Sequence, residues 1–270
     1  MKKIALIIVV LSYISSNAQQ NTSPYEWKWV RDGIWTGAAF GTSAYGLMLI
    51  QNKEDISVAE VNALNKDNIN FIDRWVAGNS SETANSISDI PFAASFILPF
   101  GMLFDDEIND HSAQYIGLYL ESLSTTAALY TVTAGLVKRS RPYVYDENED
   151  IGRRTSKNGQ RAFYSGHVAA SATATFFAAK VYCDFNPDAT GKGYIWAAAA
   201  TVPAVVGYFR LQAGQHFLTD VLLGYGLGAA TGILIPELHK TNNSSIDVSP
   251  VGGRNFRGED YTGLAFRYTF

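Results

Sequence analysis

Long uncharged stretches alternate with short polar connectors along most of this chain. Residues 33–50 carry no charge, residues 87–104 carry only Asp89, and residues 112–137 carry only Glu121. Residues 163–179 are rich in Ala, Ser and Thr, and residues 194–209 in Ala and Val. Residues 217–238 hold Asp220 near their start and then run through Gly and Leu to Pro236. Each run far exceeds the roughly 5–6 residues of a strand, so the pattern predicts six helices. Several reach the ~20 residues of a membrane span. Their small residues suit close helix packing in water or lipid alike. A mean hydropathy of -0.01 is low for a chain of mostly lipid-exposed spans.

The connectors differ in character. Residues 51–86 are polar, with a short amphipathic helix expected around residues 69–76. Residues 146–161 form a charged loop, first acidic and then basic at Arg153, Arg154, Lys157 and Arg161. Near the C-terminus the period changes from helical to two: Leu264, Phe266, Tyr268 and Phe270 alternate with other residues, and Gly252, Gly253 and Gly258 interrupt the chain. That pattern predicts a β-hairpin, expected to pack against the bundle.

The first residues follow another logic. Lys2 and Lys3 precede an apolar run over residues 4–14, and Ser15, Ser16, Asn17 and Ala18 follow. This is the layout of a secretory signal peptide cleaved after Ala18, as in a bacterial exported protein. With the N-terminus outside the cytoplasm, six full spans place the basic segments in the cytoplasm. A periplasmic bundle, associated with a membrane surface, is the expectation. The organisation expected is a signal peptide over 1–18, N-terminal helices and connector over 19–110, a catalytic core over 111–240 and a hairpin tail over 241–270.

Composition narrows the functions. A formal net charge of -4 over 270 residues argues against nucleic acid as a partner. The single cysteine, Cys183, makes no internal disulfide. His111 and His239 fall in no pattern and are expected at the surface or at helix ends.

Three short segments concentrate the chemistry: Lys138 to Tyr143, Phe163 to His167, and Arg210 to Asp220. Arg141 and Arg210 offer forked donors for phosphate oxygens. Ser165, Gly166 and His167 fall at an expected helix N-terminus, a natural anion site. His216 and Asp220 are four apart, which on a helix puts them on one face. Asp220 then orients His216 as a nucleophile, and His167 protonates the leaving oxygen. No metal or organic cofactor is called for.

Together these segments resemble the three-part signature of the type 2 phosphatidic acid phosphatase superfamily. That family also includes bacterial acid phosphatases and vanadium haloperoxidases. The resemblance covers residues 112–238 and implies an all-α six-helix bundle. It makes His216 the nucleophile, Asp220 its partner and His167 the general acid, with Arg141, Ser165, Gly166 and Arg210 binding phosphate. The implied substrate is a phosphorylated small molecule or a lipid-linked phosphate. Tyr164 and Phe209 replace the family's proline and serine, and Ala134 stands where the family has a lysine. Lys138, one turn later, is the expected substitute; Arg139, Arg153 and Arg154 are others. Two alternatives stay open: a bundle that binds anionic lipid head groups without turnover, supported by Ala134, and a vanadate-dependent haloperoxidase.

Overall fold

A computed structural model describes residues 23–241, 246–254 and 257–268; the expected signal peptide lies outside them. Among these residues six long helices form the bundle, as expected. They are α1 (Trp29–Gln51), α3 (Glu82–Gly101), α5 (Ser112–Leu136), α7 (Gly166–Phe185), α8 (Lys192–Gln212) and α9 (Leu218–Leu238). Three short ones lie between them: α2 (Val58–Asn62), α4 (Asp106–Asn109) and α6 (Ile151–Thr155).

Local caps set several boundaries. Ser81 accepts a bond from the Ala84 N–H and starts α3 ahead of its apolar run. Ser57 and Glu60 close a reciprocal capping box on α2. The amphipathic helix expected over residues 69–76 is replaced by two 3₁₀ turns, Lys66–Asn68 and Arg74–Val76. The reason is local competition for the backbone. Asn70 Oδ1 takes the Asp73 N–H and Asn65 Oδ1 takes the Asp67 N–H, bonds that favour turns over a helix.

The most buried helix is α7, which packs against α3, α5, α8 and α9, while α1 lies along α5. Its interface with α9 is close. A Cβ on Gly224 would stand 2.4 Å from the Ser165 carbonyl oxygen, and one on Gly228 would stand 2.1 Å from that of Ala169. Buried hydroxyls also join helices: Thr126 bonds Thr173 at 2.7 Å, and Thr175 donates to the Ala199 carbonyl at 2.8 Å.

The usual distribution of residues is inverted on several helices. In α3 the buried positions are Ala84, Ser88, Ser95 and Pro99, while Ile90 and Ile97 are exposed. Trp35 and Phe40 on α1 and Leu222 and Leu234 on α9 also face outward. Contiguous apolar exteriors of this kind mark a membrane-facing surface. Among the described residues three helical segments, Glu82–Phe104, Lys192–Gln212 and Leu218–Leu238, are long and apolar enough to cross a membrane. A helix of 21 residues is about 31 Å long, matching a hydrocarbon core of about 30 Å. The bundle is membrane-associated.

The hairpin pairs β1 (Ile246–Arg254) with β2 (Asp260–Tyr268), in register from Ile246 opposite Tyr268 to Arg254 opposite Asp260. Leu264 and Phe266 are exposed. The bundle does not cover these two side chains.

Candidate functional site

The three signature segments converge at one end of the bundle. Arg139 to Arg141 leaves α5 as an extended strand beside residues 159–162. The Arg139 N–H donates to Gln160 at 3.3 Å, the Arg141 N–H to Gly159 at 2.7 Å, and the Ala162 N–H back to Arg139 at 3.1 Å. Arg139 and Arg161 form a parallel bridge. Lys53 reinforces this seam, donating to the Val137 and Gln160 carbonyls at 2.7 and 3.3 Å. Burial pulls its ammonium down to about 8. Between α8 and α9 the chain turns at Gly214, with φ of +66°; a Cβ there would stand 1.7 Å from the Asn79 carbonyl oxygen. Only glycine fits that turn, which delivers Gln215 and His216.

A cavity of about 450 Å³ opens at this convergence, lined by His216, His167 and the guanidinium-bearing side chains Arg141, Arg210, Arg161 and Arg153, with Tyr130 and Gln215 among its walls. His216 is almost fully buried. Its Nδ1 lies 2.7 Å from the Ala162 carbonyl oxygen. A carbonyl only accepts, so Nδ1 carries the proton and Nε2 keeps its lone pair. Burial, aided by Arg141 and Arg210, pushes the His216 imidazole well below its ordinary value. It is therefore neutral at physiological pH.

The cations around it are incompletely bonded. The Nε atoms of Arg141, Arg161 and Arg210 are buried without a hydrogen-bond partner. Arg141 bonds Gln215, while Arg210 Nη1 donates to Asn85 at 2.8 Å and Ser88 at 3.2 Å. Burial also lowers the Arg141 guanidinium below its ordinary value. Ser165 is the N-cap residue of α7, fully buried, and its hydroxyl bonds nothing. Buried donors without acceptors are costly, and an oxyanion in the cavity would supply acceptors to the arginines; Ser165, expected to bind phosphate, is not among the residues that line the cavity. His167 stacks on Phe92 at 4.3 Å between ring centroids, its Nε2 3.7 Å from Asp89 Oδ1. Gly166 serves packing: a Cβ there would stand 2.7 Å from the Tyr130 ring.

Two expectations change. Asp220 makes no hydrogen bond to His216. Helix α9 begins at Leu218, so His216 lies in the turn before it and the four-residue spacing does not set a shared helical face. Asp220 instead turns back to accept the Phe217 N–H at 2.9 Å and pairs with Arg139. Arg139 also pairs with Asp73 at 2.7 Å and stands 4.8 Å over the Phe217 ring. Asp73, fully buried, accepts from both the backbone and the hydroxyl of Thr219. This Asp73–Arg139–Asp220 cluster holds the start of α9.

Lys138 is the second change. It is exposed and does not line the cavity. The other named substitutes divide. Arg139 is held by two carboxylates, Arg154 is turned toward the Val144 carbonyl at 2.9 Å, and Arg153 reaches the cavity but pairs with Glu82 and Glu149. Arg161 lines the cavity with its Nε unpartnered. It stood in the basic run of the sequence without any motif to single it out. Asp73, Lys53 and the Ala162 carbonyl carry no sequence signal of their own.

No curated protein matches this chain. Among solved structures, the transmembrane PAP2-type phosphatidylglycerolphosphate phosphatase from Bacillus subtilis is similar at 20% identity, with a TM-score of 0.47. The match covers 74% of this chain and 94% of that one. Residues 115–244 match the PAP2 superfamily, and every residue of the signature from Arg141 to Asp220 lies within that span. The cavity-lining residues Arg141, Arg161, His167, Arg210 and His216 all fall within the matched span.

Proposed function

We propose that the chain is a phosphatase that hydrolyses membrane-borne phosphate esters through a phosphohistidine on His216, without need of a metal. The observation that carries this reading is the tautomer of His216. The Ala162 carbonyl fixes the proton on Nδ1, leaving Nε2 as a neutral nucleophile in a wall shared with four arginines.

In the first step Nε2 attacks phosphorus, a P–N bond forms and the P–O bond to the leaving group breaks. His167 gives that oxygen its proton, one it takes up as the anionic substrate binds, since burial, with Arg210 and Arg141 beside it, holds the imidazole of the free site down to about 3. Arg141, Arg210 and Arg161 carry the charge on the non-bridging oxygens, the main requirement of phosphoryl transfer. In the second step water attacks the phosphohistidine, His167 accepts its proton, and inorganic phosphate leaves with Nε2 restored. Asp220 acts at one remove: with Arg139 and Asp73 it fixes the first turn of α9, and hence the turn that carries His216.

The substrate class follows from the setting. The cavity walls are mostly polar and about head-group sized, while the exterior of the bundle is apolar. A lipid-linked phosphate or diphosphate places its head group in the cavity and leaves its chain in the membrane. Export to the periplasm, directed by residues 1–18, completes the proposal.

The test is phosphate release in EDTA by the full chain and by His216→Ala, on para-nitrophenyl phosphate and on a long-chain prenyl diphosphate, with circular dichroism confirming folded protein. Metal-free turnover that disappears in the variant supports the mechanism, and preference for the prenyl substrate supports the lipid assignment. Folded protein that binds both substrates without turnover supports the non-catalytic binder, the reading favoured by alanine at position 134.

A further inference from the structure

At the other end of the bundle a second cluster of polar side chains is buried among apolar ones. Asp32 from the first turn of α1, Glu121 from α5 and His239 just after α9 each have at most about a twentieth of their surface exposed. His239 was expected at the surface or at a helix end; it is the residue that caps α9 at its C-terminus, and it is buried beneath the Trp27 ring, stacked at 6.0 Å between centroids. The three offer one ligand atom apiece, all within 4.8 Å of one another. His239 Nε2 lies 3.3 Å from Asp32 Oδ1 and 3.5 Å from Glu121 Oε2. From Asp220 to His239 the chain runs the length of α9, about 30 Å, so this cluster is separate from the phosphate cavity.

The bonding inside the cluster is incomplete. His239 Nδ1 lies 2.7 Å from the Ile235 carbonyl, which assigns its proton to Nδ1 and a lone pair to Nε2. Neither His239 Nε2 nor Glu121 Oε2 has a hydrogen-bond partner, although both are buried. Buried atoms left this way are costly unless something binds them. A cavity of about 420 Å³ reaches Asp32, Glu121 and His239, leaving room for a further ligand.

We propose that Asp32, Glu121 and His239 bind one divalent transition-metal ion of the zinc type. Zinc takes imidazole nitrogen and carboxylate oxygen at about 2.0–2.1 Å in tetrahedral geometry, which sets ligand atoms about 3.3–3.4 Å apart. The two separations from His239 Nε2 match that spacing. The surroundings also fit. A metal-bound histidine ordinarily donates its other ring nitrogen to a carbonyl, as His239 does to Ile235. A ligating carboxylate is itself hydrogen-bonded, as Asp32 is by the Lys28 N–H at 2.6 Å and by Arg31. The ion clasps the ends of α1 and α9 to α5. It is structural, being far from the phosphate cavity.

The competing occupant is a proton, which would make His239 an imidazolium between two carboxylates. The full chain, purified in detergent on a tag without histidine and stripped by chelator, distinguishes them when titrated with Zn²⁺ and with Co²⁺. The proposal expects one Zn²⁺ per chain, a visible Co²⁺ spectrum of tetrahedral intensity, and a rise in Tm on zinc addition. Glu121→Gln and Asp32→Asn, which preserve shape, should each weaken zinc binding at least tenfold, and His216→Ala should leave it unchanged. Absence of stoichiometric binding by the folded wild-type chain, or binding unaffected by both carboxamide variants, overturns the proposal and leaves the imidazolium. Because the readout is metal stoichiometry, its failure is distinct from failure of the phosphatase reading.

Discussion

Replacing Arg161 by alanine should cripple phosphoryl transfer while Lys138→Ala leaves it intact. Arg161 lines the cavity, its Nε is buried without a partner, and only Nη1 is engaged, donating to Asn158 at 2.8 Å. Its backbone is bridged to Arg139, two residues before Arg141, and the side chains of Arg161 and Arg141 line the same cavity. A hydrogen bond to a charged group contributes about 1.5–3 kcal/mol. At about 1.4 kcal/mol per decade, losing one such bond to the transferring phosphoryl group lowers kcat/KM by about 10- to 150-fold. The assay is steady-state phosphate release in detergent for wild type, Arg161→Ala, Arg161→Lys and Lys138→Ala. Arg161→Lys should recover part of the loss, since charge is kept and the fork is not. Near-wild-type kinetics in a folded Arg161→Ala protein, with a large loss in Lys138→Ala, would refute the reasoning and restore Lys138 to the role the sequence suggested.

Two further outcomes follow from the site. Because burial and the neighbouring guanidinium groups hold His216 below its ordinary value of 6.5, the nucleophile stays unprotonated as pH falls through 6.5. The acidic limb of kcat/KM, which reports the free enzyme, should therefore lie below 6.5; a limb centred near 6.5 that vanishes with no other group changed would sink the assignment. Asp73→Ala should lower stability by about 3 kcal/mol, as expected when one member of a buried ion pair is removed, seen as a lower Tm in detergent and a lower kcat with Arg139 left to a single carboxylate, Asp220. Burial pushes the Asp73 carboxyl up, but bonds from Thr219, Asn70 and Arg139 outweigh it and hold it below the usual carboxylate range. Its contribution is thus complete above the unfolded carboxylate range and is lost as pH falls through the folded value. The difference between wild type and Asp73→Ala should shrink in acid.

Hydropathy revealed the six long helices because run length is a one-dimensional property. It did not reveal which face of each helix turns inward. On α3 the interior is built from Ser88 and Ser95 and the exterior from Ile90 and Ile97, the reverse of the water-soluble pattern that a reader of amphipathicity expects. The helix-end position of His239 was legible, but its burial was not, for a related reason. His239 follows an apolar run and precedes Lys240, which reads as a helix leaving the core, yet its neighbours Asp32 and Glu121 come from helices distant in sequence. The His216–Asp220 pair fails more instructively. A spacing of four predicts a shared face only when both residues are helical, and here the helix starts between them.

The departure at position 134 shows how far a signature can mislead when read position by position. Ala134 is fully buried on α5, so a lysine substituted there would not by itself explain what the present cavity uses. Lys138 follows it by one turn, but α5 has ended at Leu136 and the chain is already extended, so the helical periodicity that would align the two is gone. What takes their place comes from across the seam. The strand at Arg139–Arg141 pairs with residues 159–162, and that pairing brings Arg161 to the cavity that Arg141 also lines. A cation requirement is a requirement on position in space, and backbone pairing meets it as well as helical spacing does. The proposed chemistry of the pocket is therefore compatible with an altered signature, provided Arg161 behaves as the first prediction demands.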